Sequence, residues 1–170
     1  MATVNTKSNI VTNLDATPKV MNALNIMGGV LREQAATVEI AAADDANSTY
    51  RLCRLHSSWR VSEIKRFNDA ITSGTDYDVG LYRTAEDGGA AVDANLYADA
   101  VSLASASITG THDLYETGSA VGVEKIEKAI WEQLGLATDP GLWYDLVYTG
   151  FTPGSGAGTL SVLVRYVANS

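Results

Sequence analysis

From Ala35 to Val167 apolar and polar positions alternate in short runs, each closed by small or acidic residues. Alternation with a period of two puts successive side chains on opposite faces of a strand. Thr37-Val38-Glu39-Ile40 is the first such run, and the cluster Asp44-Asp45-Ala46-Asn47-Ser48 ends it with side chains that satisfy turn backbone. TYRLCRL (49–55) and RVSEIKRF (60–67) predict a second and a third strand, whose mixed alternation lays long side chains across a polar face. Residues 76–82 give the cleanest pattern: Tyr77, Val79 and Leu81 share one face, Asp78, Gly80 and Tyr82 the other. Glu86-Asp87-Gly88-Gly89 predicts a turn. Residues 93–103 fit a helical turn or a strand, and residues 113–116 a further short strand. Residues 142–149 alternate again, and TLSVLVRYV (159–167) is apolar on both faces, as a covered strand is. The glycine-rich stretch 150–158 joins these two as a hairpin-type loop.

Two segments break the period. Val123, Ile126, Ile130 and Leu134 recur at helical spacing, with Glu124, Lys125, Glu127, Lys128 and Glu132 on the wet side. Gly135 stands where a left-handed C-cap belongs, and Asp139-Pro140 stops continuation. Residues 1–33 have no clear period. Pro18 and Gly28-Gly29 interrupt them, and Val20, Met21, Leu24, Ile26, Met27, Val30 and Leu31 fit no single face. A short helix over residues 20–26 is one reading; an extended arm, ordered by lying on a neighbouring surface, suits the apolar content better. The expected fold is mainly β: an antiparallel β-sandwich of jelly-roll type with one short α-helix, the arm occupying residues 1–33 and the sandwich residues 34–170.

Charge changes the picture. The 170 residues carry 12 Lys and Arg against 20 Asp and Glu, a net charge of −8. Residues 51–66 hold Arg51, Arg54, Arg60, Lys65 and Arg66 against Glu63, whereas residues 69–116 hold nine acids against Arg83. The two blocks either neutralise each other within the fold or form opposite poles for contact with other subunits. An acidic chain is a poor fit to nucleic acid, whose phosphates call for clustered cations. No run approaches the ~20 apolar residues of a membrane span, and the polar start MATVNTKSNIVTN predicts no secretory signal. Eight Tyr and three Trp against two Phe suit surfaces with one wet side, interfaces among them.

Chemistry is scarce. His56 and His112 lack any metal-binding spacing, and the single cysteine, Cys53, excludes an internal disulfide and reads as a small buried hydrophobe. The loop 150–158 has no following Lys or helix to make a phosphate cradle. Asp76, Asp78, Glu86 and Asp87 are candidate calcium ligands but lack the spacing of a calcium loop. Trp59, Trp131 and Trp143 fall on three separate elements, which argues against an aromatic platform for sugars. The expectation is a protein with no enzymatic activity and no cofactor.

The segments STYRLCRL, RVSEIKRFNDAITSGTDYDVGLY, VDANLYADAVSLASA and AIWEQLGLATDPGLWYDLVYTGFTPGSGAGTLSVLVRYV resemble the capsid cement, decoration or head-stabilisation proteins of tailed bacteriophages. The most telling pieces are Asn68-Asp69-Ala70-Ile71 leading into Gly74-Thr75-Asp76-Tyr77-Asp78-Val79-Gly80, and Trp131-Glu132 followed by Tyr144-Asp145-Leu146; Asn13-Leu14-Asp15-Ala16-Thr17-Pro18 fits as an arm. The resemblance implies a jelly-roll-like domain on the outer capsid surface of the virion, assembled in the host cytoplasm and bridging major capsid subunits. Its implied partners are the major capsid protein and copies of itself, as a trimer by preference or a dimer, with no nucleic acid and no membrane. A head-fibre base, a tail protein and a carbohydrate-binding jelly roll are the competing readings. The candidate contact residues are Arg51, Arg54, Arg60, Lys65 and Arg66 from the basic stretch, and Leu14, Val20 and Leu24 from the arm.

Overall fold

The strands of the sandwich are β1 (Val30–Ile40), β2 (Ser48–His56), β3 (Arg60–Asn68), β4 (Asp76–Arg83), β5 (Ala91–Val101), β6 (Ser107–His112), β7 (Trp143–Thr152) and β8 (Gly158–Ala168). They are seen in a computed structural model that describes residues 3–114 and 119–168. One sheet has the order β1-β8-β3-β6 and the other β2-β7-β4-β5, with every neighbouring pair antiparallel. The chain changes sheet at every connection except β4 to β5. That order is a jelly roll, as the sequence pattern leads one to expect.

The core is the set of inward residues that period two selects. Tyr77, Val79 and Leu81 of β4, Tyr144, Leu146 and Tyr148 of β7, and Leu160, Val162 and Val164 of β8 are buried between the sheets. Each such aliphatic side chain contributes about 1.5–3 kcal/mol by leaving water. On β4 and β7 the alternate set is buried as well: Gly80, Tyr82, Val147 and Thr149 have little access to solvent. Gly80 shows what covers them, because a Cβ there would lie 2.0 Å from the Asp93 carbonyl oxygen and 2.4 Å from the Ala94 backbone. The irregular strand β5 crosses directly over this face, and only glycine admits so close an approach. Residues 93–103, ambiguous by pattern, are thus mostly strand. The short strand sought at 113–116 lies instead at Ser107–His112, and residues 115 and 116 fall outside the described residues.

One boundary moves, and the arm gains a helix. β1 begins at Val30 and pairs Val30, Leu31, Arg32 and Glu33 with Ala168, Val167, Tyr166 and Arg165, so residues 30–33 belong to the sandwich and not to the arm. Ahead of it lies a seven-residue helix, α1 (Asn9–Asp15), in a stretch read from the sequence as extended. Its N-cap Ser8 accepts a hydrogen bond from the Val11 N–H, which explains its start.

The helix expected over residues 123–134 is not continuous. Val123–Lys125 forms one 3-10 turn, Ala129 is extended, and α2 (Ile130–Gln133) is a single turn. The cause is competition for backbone donors. The Ile130 N–H donates to the Trp59 carbonyl (2.9 Å) and the Trp131 N–H to that of Ser57 (3.0 Å), so the β2–β3 turn takes the bonds that a helix would send to residues 126 and 127. The Glu132 carboxylate accepts from the Ala129 N–H (2.9 Å) and caps the new start. Gly135, at φ +72°, ends the turn as the sequence suggests. The apolar stripe is split accordingly: Ile130 is fully buried, while Val123 is 76% and Ile126 53% exposed. Ile130→Ala is therefore expected to cost ~2–5 kcal/mol in chemical denaturation, and Val123→Ala less than about 0.5 kcal/mol. A loss below that level at Ile130 would place its side chain on a surface.

Candidate functional site

The basic stretch is spent largely inside the domain. Arg66 points between the sheets and is 5% exposed; its Nε lies 2.9 Å from Asp113 Oδ2, and its Nη1 donates to the Ser102 carbonyl (2.8 Å). Tyr148 donates to the same Asp113 carboxylate at 2.6 Å. Arg66, a candidate contact residue by sequence, is thus a core residue, because an inward position on β3 places its guanidinium beside a buried acid.

Arg51 and Arg54 both lie on the outer face of the other sheet. Three residues apart, they would point to opposite faces of a regular strand, but an extra residue at Leu52 shifts the register between Arg51 and Cys53. Both then reach Asp145 of β7, at 2.9 Å each, and Arg51 also donates to the carbonyls of Arg83 (2.9 Å) and Gly89 (2.7 Å). Arg60 donates to the Asn25 carbonyl (2.6 Å), and Lys65 lies over the Phe67 ring at 5.5 Å. On the outer face of the β1-β8-β3-β6 sheet a polar row crosses all four strands: Arg165 is ion-paired with Glu33 (2.9 Å) and Glu63 (2.7 Å), and His112 Nδ1 lies 3.3 Å from the Glu63 carboxylate. At one end of the sandwich the loops 41–47, 69–75, 102–106 and 153–157 carry Asp44, Asp45 and Asp69 and no Lys or Arg.

The chemical candidates disperse. Asp76 and Asp78 open β4, whereas Glu86 and Asp87 follow its far end, so these four acids do not converge. Asp78 is nearly buried, and this burial raises its pKa; the Ala100 N–H donating to it (3.1 Å) pulls down, and Asp99 and Asp76 push it up further. Burial pushes the Cys53 thiol up to about 11, which keeps it protonated at neutral pH. His56 Nδ1 is 2.8 Å from Ser58 Oγ, and Ser57 Oγ donates to Asp139 Oδ1, so these groups tie the β2–β3 turn to the segment before β7. Trp59 and Trp143, assigned by sequence to separate elements, meet edge to face at 5.1 Å, and Trp59 stacks on Tyr166 at 4.3 Å. The stacking occupies one face of Trp59. Long-range strand pairing brings these rings together, and no local pattern signals it.

The arm shows the opposite behaviour. No residue of α1 is buried, and the helix is held by Lys7 to Asp15 (2.7 Å) and Asn13 to Asn22 (2.8 Å), contacts within the arm itself. Leu14, Val20 and Leu24 are all substantially exposed, together with Met27, Val30, Leu31 and Met21, the last at 89%. Residues 20–31 contain no charged residue. A cleft of about 460 Å³ separates the arm from residues 127–132. The arm is tethered to the sandwich near Asn25 and is otherwise poorly packed on it.

No known family model matches the chain, and no curated protein matches it. Chains from three phage capsids are among the solved structures to which this chain is similar. A chain in the capsid of Ralstonia phage GP4 is 12% identical with a TM-score of 0.55, over 84% of this chain and 86% of that one. A chain in the capsid asymmetric unit of cyanophage Pam1 is 17% identical (TM-score 0.43; 83% and 86% covered). A chain in the acidic stable capsid structure of Helicobacter pylori bacteriophage KHP30 is 14% identical (TM-score 0.45; 83% and 95% covered). The likeness to the GP4 chain is one of fold.

Two outcomes follow for the charged groups. Arg66→Ala leaves Asp113 buried without its cation and is expected to cost about 3–5 kcal/mol, whereas Arg54→Ala at the half-exposed site costs no more than about 1 kcal/mol; paired denaturation curves check both. Asp78 holds its proton to higher pH in the folded than in the unfolded state, so its effect on stability worsens as pH rises through the range above 3.8. Asp78→Asn keeps an acceptor for the Ala100 N–H and removes that penalty. The variant should melt higher than the parent at pH 7 and close to it at pH 3.

Proposed function

We propose that this chain is a non-enzymatic structural protein of a phage virion, attached to the outside of the head and stabilising contacts between major capsid subunits. The observation that carries the reading is the arm: an uncharged run of large, exposed apolar side chains, joined to a helix that buries nothing, on a well-packed jelly roll. Exposed apolar side chains gathered in one segment mark a contact with another protein. The likeness in fold to a chain of the GP4 capsid, and the sequence resemblance to head-stabilisation proteins, support a phage particle as the source of that contact. In this reading Leu14, Val20, Met21 and Leu24 lie on a neighbouring capsid subunit, the sandwich sits above it, and copies of the chain contact one another.

The charged residues take a secondary part. Arg51, Arg54 and Arg60 keep the domain's own loops and arm in place, so attachment rests on apolar contact more than on ion pairs. Individual exposed pairs contribute only ~0–1 kcal/mol, and repetition over many copies, not any single pair, gives attachment its strength.

Deletion of residues 1–28 is the direct test. The shortened protein is expected to keep the cooperative unfolding of the sandwich and to lose binding to heads that lack the protein, measured by co-sedimentation. Undiminished head binding would refute the arm's role, and binding to tails in place of heads would refute the location.

A further inference from the structure

β1 is an edge strand of unusual regularity. It pairs with β8 over eleven residues, Val30↔Ala168 through Ile40↔Gly158, with no shift of register. Each of the other edge strands is interrupted. β2 carries the extra residue at Leu52, β5 shifts register three times against β4, and β6 is six residues long with a shift and a left-handed Gly110. Bulges, shortness and irregularity are the usual ways in which a sheet edge is kept from pairing with another chain. β1 uses none of them, and VLREQAATVEI contains no proline and no lysine. Among the described residues β8 is its one strand partner, which leaves the opposite edge with a row of backbone donors and acceptors.

We propose that this edge pairs with the same edge of a second copy, antiparallel about a two-fold axis at Ala35. The occupant is fixed by side-chain complementarity. Directly opposite residues share a face of the sheet, so a two-fold pairing must centre on a residue. Centred on Ala35, all eleven residues pair: Val30 faces Ile40, Leu31 faces Glu39, Arg32 faces Val38, Glu33 faces Thr37, and Gln34 faces Ala36. No like charges meet. Centring on Ala36 sets Glu33 against Glu39, and centring on Glu33 sets that residue against itself; centring on Gln34 shortens the overlap to nine residues by leaving Glu39 and Ile40 unpaired. Glu33 is already neutralised by Arg165, and small Ala35 at the axis allows close approach. The two four-stranded sheets then join into one of eight, β6-β3-β8-β1-β1-β8-β3-β6. Such pairing needs no virion component.

The test is disulfide trapping of the full chain in solution. Ala35→Cys puts two thiols directly across the axis, at a separation of ~4.5–5.5 Å between Cα atoms that suits a disulfide, and the chain's own Cys53 is buried. Under mild oxidation the variant is expected to become mostly covalent dimer, while Leu31→Cys, placed opposite Glu39, links at least about tenfold more slowly; the buried Cys53, present in both variants, is the common background. Sedimentation of the unmodified protein should show a reversible species of twice 18.0 kDa. Thr37→Glu, opposite Glu33, should weaken that dimer several-fold and Thr37→Lys strengthen it. A protein that stays monomeric at about 100 µM, with Ala35→Cys linking no faster than Leu31→Cys, would overturn the proposal and leave the edge to a strand of another protein. A dimer indifferent to position 37 and not trapped at position 35 would assign the contact to another face.

Discussion

Between the two sheets Arg66 and Asp113 lie 2.9 Å apart with almost no access to water, and Tyr148 donates to the same carboxylate. Neither charge is stable there without the other, since an uncompensated ion in the interior costs several kcal/mol. The pair therefore fixes the relation of the parts that supply it. Arg66 comes from β3 and Asp113 from the residue after β6, in one sheet, while Tyr148 comes from β7 in the other. Burial first, and the Asp113 charge second, hold the Tyr148 phenol well above its ordinary range, so it stays a donor to that acid. Arg66 also bonds the Ser102 carbonyl just past β5, pinning the chain where it passes from one sheet to the other.

This use of charge shapes what is left for partners. Arg51 and Arg54 converge on Asp145, and Arg165 is held between Glu33 and Glu63. The excess of acid over base is thus expressed at the surface, notably in the loops at one end. Among the described residues two surfaces stand out as open to contact, the exposed apolar side chains of segment 20–31 and the free edge of β1. They adjoin in the chain, because the exposed apolar run continues into Val30 and Leu31 at the start of that strand. A protein built so offers contact by apolar burial and by backbone pairing, neither of which calls for a catalytic group.

Much of the sandwich was legible because period two survives wherever one face is buried. β2 and β3 were readable for this reason, β4 by its alternation and β8 as an apolar run between turn signals, and Gly135 announced its cap through its own conformational freedom. The misses have physical causes that local pattern does not carry. The stripe Val123, Ile126, Ile130 and Leu134 satisfies helical spacing, yet the carbonyls of Ser57 and Trp59, some seventy residues away, take the donors that would have continued the helix. The extra residue at Leu52 brings Arg51 and Arg54 to one face when their spacing predicts two. A count of charges by segment likewise marked Arg66 for the surface, because the count holds no information about Asp113. The contact of Trp59 with Trp143 depends on strand order, which the sequence of either element does not encode. Of the contact residues named from sequence, Leu14, Val20 and Leu24 are exposed and available, and Arg66 is not.

In the function proposed above, apolar contact through the arm, and not the basic stretch, joins this protein to its assembly. Hydroxyl-radical footprinting of the protein free and on the particle tests it most directly, since Met21 and Met27 react readily when exposed and lie within the segment concerned, while Trp143 of β7 is partly exposed elsewhere. Oxidation of Met21 and Met27 is expected to fall several-fold on the particle while that of Trp143 is little changed. Equal oxidation of both methionines in the free and attached protein would contradict it.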